Sequence, residues 1–319
     1  DLAGNEGTQV VALIGDATGV SFDKQAPSFT SGLPAIVKIE ALENIVSEGT
    51  IDDNHTMAKS GNTITVTLIS DEILKTGLDP TVTIANNNAI VTRTATGASS
   101  NTFTAIYLMS EDTDAAFDGQ SIPINISNYE DPAGNAGATL TATTDASDVI
   151  FDMTAPVLGT VTIASDNTFS NWATTNDKIT LTIVSDTDLE KMAAGDISLL
   201  ASTANVTIVE GANAKNWSAW KAVDGHTQGV AAFSITYEDF VGNSGDVITS
   251  ITTGKNVTVD YNPPTITKAD IASNNGSGTR PELAVPGNVI TLTVAVDENI
   301  QEPTITIATN PADVVKGND

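Results

Sequence analysis

Ile64-Thr-Val-Thr-Leu-Ile-Ser-Asp-Glu72 alternates branched apolar residues with threonine and closes on two acids. Successive side chains of an extended chain point to opposite faces, so this period of two predicts a half-buried strand. β-branched residues suit that pleated surface. The pattern returns as Ile179-Thr-Leu-Thr-Ile-Val-Ser-Asp186 and as Ile290-Thr-Leu-Thr-Val-Ala-Val-Asp-Glu298. A shorter apolar run follows each copy and predicts second strands at Thr81–Ile84, Ile197–Leu200 and Thr304–Ile307.

Two further landmarks repeat around these strands. Asp1-Leu-Ala-Gly-Asn-Glu-Gly7 recurs as Asp131-Pro-Ala-Gly-Asn-Ala-Gly137 and as Asp239-Phe-Val-Gly-Asn-Ser-Gly245. Each is followed by a Thr/Val/Ile strand and a junction: Asp23-Lys-Gln-Ala-Pro27, Asp152-Met-Thr-Ala-Pro156 and Asp260-Tyr-Asn-Pro-Pro264. From motif to junction the first acids lie 22, 21 and 21 residues apart. Such constancy marks an internal repeat.

The junction prolines are 129 and 108 residues apart. The second spacing fits an immunoglobulin-like sandwich of about 100 residues and about seven strands. Fold class is therefore all-β, as tandem immunoglobulin-like β-sandwiches in an extended array. The expected divisions are the last strands of a preceding domain at 1–22, complete domains at 23–151 and 152–259, and the first half of another at 260–319. The longer first repeat predicts an insertion on the connection between strands A and B, where Glu40–Met57 is polar with a weak helical pattern. Gly4, Gly134 and Gly242 fall where a hairpin needs positive φ. Each junction proline suits the start of an edge strand and stiffens the link.

In such a sandwich the incoming chain, the B–C loop and the F–G turn meet at one pole. Asp23, Asp71, Glu72, Asp131 and Asn135 should therefore converge in the first complete domain. Asp152, Asp186, Asp188, Asp239 and Asn243 should do so in the second. Asp260, Asp297 and Glu298 belong to the third, whose F–G turn would follow Asp319. Oxygen ligands without His or Cys describe a hard-cation site, with Ca2+ or another divalent cation as its occupant. The competing reading is that Asx side chains merely bond their own turns. Recurrence of three separated acidic elements favours the cation, since unpaired carboxylates at one place repel.

Composition agrees with that reading. The chain has 319 residues, no cysteine and a formal net charge of −27. Such a surface repels nucleic acid and anionic lipid and attracts cations. The absence of cysteine excludes thiolate chemistry and leaves metal as the alternative staple to disulfides. No apolar run of about 20 residues is present to span a membrane.

Nothing in the chain reads as catalytic. Its two histidines, His55 and His226, lie in polar stretches. No phosphate loop, nucleophile elbow or HExxH occurs, so the chain reads as a non-enzyme. Trp172, Trp217 and Trp220 read as core or edge packing rather than a carbohydrate platform. Six N-x-[ST] sequons, at Asn54, Asn125, Asn205, Asn216, Asn256 and Asn275, are no more than Asn, Ser and Thr abundance yields by accident. Asn125, Asn205 and Asn256 are expected within strands.

The D-x-A-G-N-x-G motif, the D-x-x-A-P junction and the I-T-V-T-L strand together resemble the immunoglobulin-like repeats of giant bacterial and archaeal surface proteins. The acidic, cysteine-free, Thr/Asn-rich style looks most like surface-layer proteins of ammonia-oxidising archaea, with calcium-dependent bacterial adhesins next. The Asp23 junction is also loosely similar to the calcium-bridged linker of cadherins, without its fuller acidic motif, and the Asp260 junction departs further. The resemblance implies an extracellular, cell-surface structural protein. Its expected partners are further copies of itself in a homo-oligomeric lattice, with divalent and small cations. The adhesin resemblance implies a stalk instead.

Overall fold

The computed structural model describes residues 22–30, 36–41, 55–93, 101–224, 228–275 and 281–317, with the backbone alone for residues 55–56. The expected strands of residues 1–21 lie outside these.

Among the described residues the first repeat builds ten strands: β1 (Ile36–Ala41), β2 (His55–Ala58), β3 (Thr63–Ile69), β4 (Thr81–Ile84), β5 (Asn87–Asn88), β6 (Ile90–Arg93), β7 (Thr102–Leu108), β8 (Gln120–Ser121), β9 (Ile124–Ser127) and β10 (Asp148–Phe151). They form sheets in the orders β1-β3-β7-β6, β5-β4-β9 and β2-β10-β8. The alternation read from Ile64 is realised: Ile64, Val66 and Leu68 are fully buried. Phe103, Val82, Ile84, Ile126, Val149 and Phe151 join them in one core. Phe29 and Tyr129 close its end, with ring centroids 4.8 Å apart.

The second repeat follows the same plan with β11 (Leu158–Ser165), β12 (Trp172–Ala173), β13 (Lys178–Ser185), β14 (Ile197–Leu199), β15 (Thr207–Glu210), β16 (Asn216–Ala222), β17 (Gly229–Val230), β18 (Phe233–Ile235) and β19 (Thr258–Val259). The sheet orders are β11-β13-β16-β15, β14-β18 and β12-β19-β17. In both repeats strand A is divided. Its first half, β1 or β11, neighbours β3 or β13. Its second half, β2 or β12, runs parallel to the last strand, with Met57 opposite Ile150 and Trp172 opposite Thr258. The third repeat contributes β20 (Ile266–Ser273), β21 (Ile290–Val296), β22 (Thr306–Ile307) and β23 (Asn310–Pro311), in two hairpin sheets.

Contacts group the chain into two compact units. One comprises 1–163, 180–221 and 232–255; the other comprises 164–179, 222–231 and 256–319.

Several expectations need correction. The extra length of the first repeat does not sit on an A–B connection. Val37 and Val161 are equivalent, each donating its N–H to a threonine hydroxyl, of Thr144 and Thr252. Ala58 and Ala173 are equivalent, each accepting from a junction aspartate N–H. These pairs are 21 and 12 residues apart, so the insertion divides strand A itself. Both described flanks of Glu40–Met57 are strand, and 42–54 lies outside the described residues. A helical segment the sequence reading missed, α1 (Glu111–Asp114) with a 3-10 turn at Ala115–Phe117, accounts for further length. Of the sequons expected in strands, Asn125 is in β9, while Asn205 is in a turn and Asn256 precedes β19. His55 begins β2, and His226 lies outside the described residues. Trp217 is buried, and Trp172 is exposed on β12, at the edge of its sheet.

Candidate acidic poles

Each pole is assembled by one set of hydrogen bonds. The residue after the junction proline donates its N–H to the aspartate that ends strand B and accepts that aspartate's N–H. The pairs are Ser28 with Asp71 (2.7 Å to the carboxylate), Val157 with Asp186 (2.8 Å) and Thr265 with Asp297 (2.8 Å). Asp71, Asp186 and Asp297 thus fasten the incoming chain to strand B, which spends one carboxylate oxygen of each on backbone. At Asp297, bonds from the Thr265 hydroxyl and N–H hold the carboxyl below its usual range.

The F–G turns are equally alike. Asp131 accepts from the Asn135 N–H (2.9 Å) and side-chain amide (2.6 Å); Asp239 accepts from the same groups of Asn243, both at 2.9 Å. The asparagine amides also reach the junction carbonyls, Asn135 to Asp23 at 3.4 Å and Asn243 to Asp152 at 3.1 Å. Both asparagines therefore act as donors that tie turn to junction. Gly134 and Gly242 have φ of +94° and +86°, as the turn requires. The last glycine of each motif has a different cause. A Cβ on Gly137 would sit 1.9 Å from the Tyr129 ring, and one on Gly245 would sit 2.3 Å from the Tyr237 ring. These tyrosines, two residues before each turn aspartate, are part of the motif and escaped the sequence reading. Their constant spacing was the available signal.

The first pole brings three acids together. One carboxylate oxygen from each of Asp23, Glu72 and Asp131 lies within 4.8 Å of the other two. Asp131 is fully buried. Burial pushes its carboxyl upward, but bonds from Asn135 and from the Gly134 and Ala133 N–H groups outweigh this and hold it below the usual range. Glu72 moves the other way: burial first, then the charges of Asp23, Asp131 and Asp71, raise it. Its Oε1 is buried without a hydrogen-bond partner.

The remaining poles differ. Counted from the strand-B aspartate, Thr187 stands where Glu72 does, and Asp188 matches Ile73. Asp188 is exposed. Asp152 is raised by burial and then by the charges of Asp239 and Asp118, against a bond from the Thr154 N–H that lowers it. At the third pole Glu298 is raised by burial, by Asp260 and Asp297, and by its bond with Asp260. Among the described residues, only the first pole forms a triad with metal-ligand spacing.

The divided strand A, the parallel pairing of its second half with the last strand and the paired-sheet core decide the fold. The chain consists of tandem immunoglobulin-like β-sandwich repeats. No family model matches it, and neither does any curated protein. Among solved structures it is similar to a tandem immunoglobulin pair of titin, at 10% identity over 74% of this chain and 98% of that one, with a TM-score of 0.22. It is also similar to InvD of Yersinia pseudotuberculosis, at 17% identity over 70% and 62%, with a TM-score of 0.25. Tandem immunoglobulin repeats of Dlar match at 9% identity over 71% and 99%, with a TM-score of 0.20. No helix among the described residues is long and apolar enough to cross a membrane.

Proposed function

We propose that this chain is a segment of a structural, non-catalytic cell-surface protein, an acidic surface-layer lattice whose immunoglobulin-like domains are stiffened by divalent cations. The observation that carries the reading is the Asp23–Glu72–Asp131 triad with the orphaned Glu72 Oε1. Two oxygens on one Ca2+, each at about 2.4 Å, can stand at most about 4.8 Å apart. The three carboxylates meet that limit. The group fits a hard cation. Asp23, Glu72 and Asp131 would hold it, Asn135 would orient Asp131 and the Asp23 carbonyl, and Asp71 would fix the strand that carries Glu72. The ion would supply the charge that relieves three mutually repelling carboxylates. The second pole, where Thr187 stands in place of a third acid, would not need the ion.

A cation at this pole would join the incoming chain, strand B and the F–G turn, and so set the angle at which one domain follows another. Extracellular modules of this kind bind Ca2+ at about 10⁻⁴–10⁻³ M. Tenfold excess over that constant adds about 1.4 kcal/mol of stability. The net charge of −27 would gather small cations over the whole surface. Assembly separates a lattice from an adhesin stalk. Purified full-length protein should form two-dimensional sheets in electron micrographs when Ca2+ is restored after chelation. Single extended particles at every Ca2+ concentration would replace the lattice with the stalk.

A further inference from the structure

The second joint is built with a cation of the protein's own. Lys59 follows β2 at the far end of the first sandwich, and its ammonium donates to the carbonyl of Gly242 in the F–G turn of the second. The contact is close enough that a Cβ on Gly242 would lie 2.9 Å from Lys59 Nζ. The same point lies 3.7 Å from Glu238 Oε2, so the ammonium enters a turn flanked by Glu238 and Asp239. The Lys59 backbone is fixed in turn, its N–H bonded to Asn62 Oδ1 at 2.9 Å. The linker between is held from both sides. Asp118 of the first sandwich accepts from the Met153 N–H (2.8 Å) and the Thr154 hydroxyl (2.6 Å), while Asn243 of the second donates to the Asp152 carbonyl.

We infer that Lys59 is an interdomain latch that closes the second joint without a divalent ion. An ammonium bonded to a carbonyl, in a turn that carries Glu238 and Asp239, brings a positive charge to the pole where Thr187 stands in place of a third acid. Arrays with two kinds of joint would stay stiff at one when cation is withdrawn from the other. The corresponding residue of the second sandwich is Thr174, whose N–H makes the matching turn bond to Asp177 and whose short side chain carries no charge.

The absence of native cysteine permits clean spin labelling of the full chain at Asp112→Cys and Thr207→Cys, one exposed site on each sandwich. The wild-type distance distribution should be narrow and unchanged by chelator. Interdomain motion is the default once a contact is lost, so Lys59→Met should broaden it roughly twofold, and Lys59→Arg should restore most of the width. Melting temperatures of both sandwiches serve as the folding check. A Lys59→Met distribution that matches wild type overturns the latch, as does a wild-type distribution that broadens in chelator as much as the variant does. The labels flank the second joint only, so failure of cation binding at the first pole leaves this outcome unaffected.

Discussion

The first and second poles share their main hydrogen bonds and differ in how many carboxylates converge. Both fasten the residue after the proline to a strand-B aspartate, and both tie an F–G asparagine to the junction carbonyl. One residue after that aspartate, Glu72 adds a third converging carboxylate, whereas Thr187 adds none. A common scaffold thus supports two electrostatic arrangements: three converging carboxylates at the first pole, and a lighter set approached by Lys59 at the second.

The largest effect should come from the shared scaffold. Asp239→Ala leaves the Val241 N–H, the Asn243 N–H and the Asn243 amide without their acceptor, and hydrogen bonds to a charged group are the strong ones. The second sandwich should lose about 3 kcal/mol in urea unfolding, with no dependence on Ca2+. Asp131→Ala should destabilise the first sandwich and also remove its response to Ca2+. An Asp239→Ala loss that Ca2+ repairs would break the distinction.

Thr187→Glu sharpens it. Restoring the third acid should give the second sandwich a Ca2+-dependent gain of about 1.4 kcal/mol at tenfold excess over the dissociation constant. Differential scanning calorimetry with and without chelator would read it, and no gain would mean that more than one residue separates the poles.

A smaller contrast lies in the tight turns that follow β4 and β14. Asn86 and Ala201 occupy the same left-handed position, at φ of 60° and 57°. Asparagine tolerates that conformation and alanine does not, so Ala201→Gly should stabilise by about 1 kcal/mol, and Asn86→Gly should change melting very little.

The smallest effect concerns pH. Glu72 is raised in the folded chain, so near its ordinary value of 4.5 the native state holds a proton that the unfolded state releases. In chelator, stability of the first sandwich should fall as pH rises from there through the raised value. Asp131, lowered in the fold, acts only at more acid pH, where its contribution is lost. Melting curves of Glu72→Gln should lack the first slope.

Strands were legible wherever apolar residues alternated over several positions, as at Ile64–Leu68, because burial of one face leaves a periodic trace. The convergence of Asp23, Glu72 and Asp131 was legible because the repeat fixes where loops meet. The division of strand A was not, since a half-strand of two residues such as Trp172–Ala173 has no period to read. Nor was the role of Asp71, whose oxygen bonds a backbone N–H 43 residues away. Lys59 was invisible for the same reason, because its partner is 183 residues distant and offers only a main-chain carbonyl.

Calorimetric titration of the full chain with Ca2+ tests the central claim most directly. The strongest binding step should vanish in Glu72→Gln and persist in Asp152→Asn. A binding isotherm that Glu72→Gln leaves unchanged, or that Asp152→Asn abolishes, would contradict the assignment of the ion to the first pole.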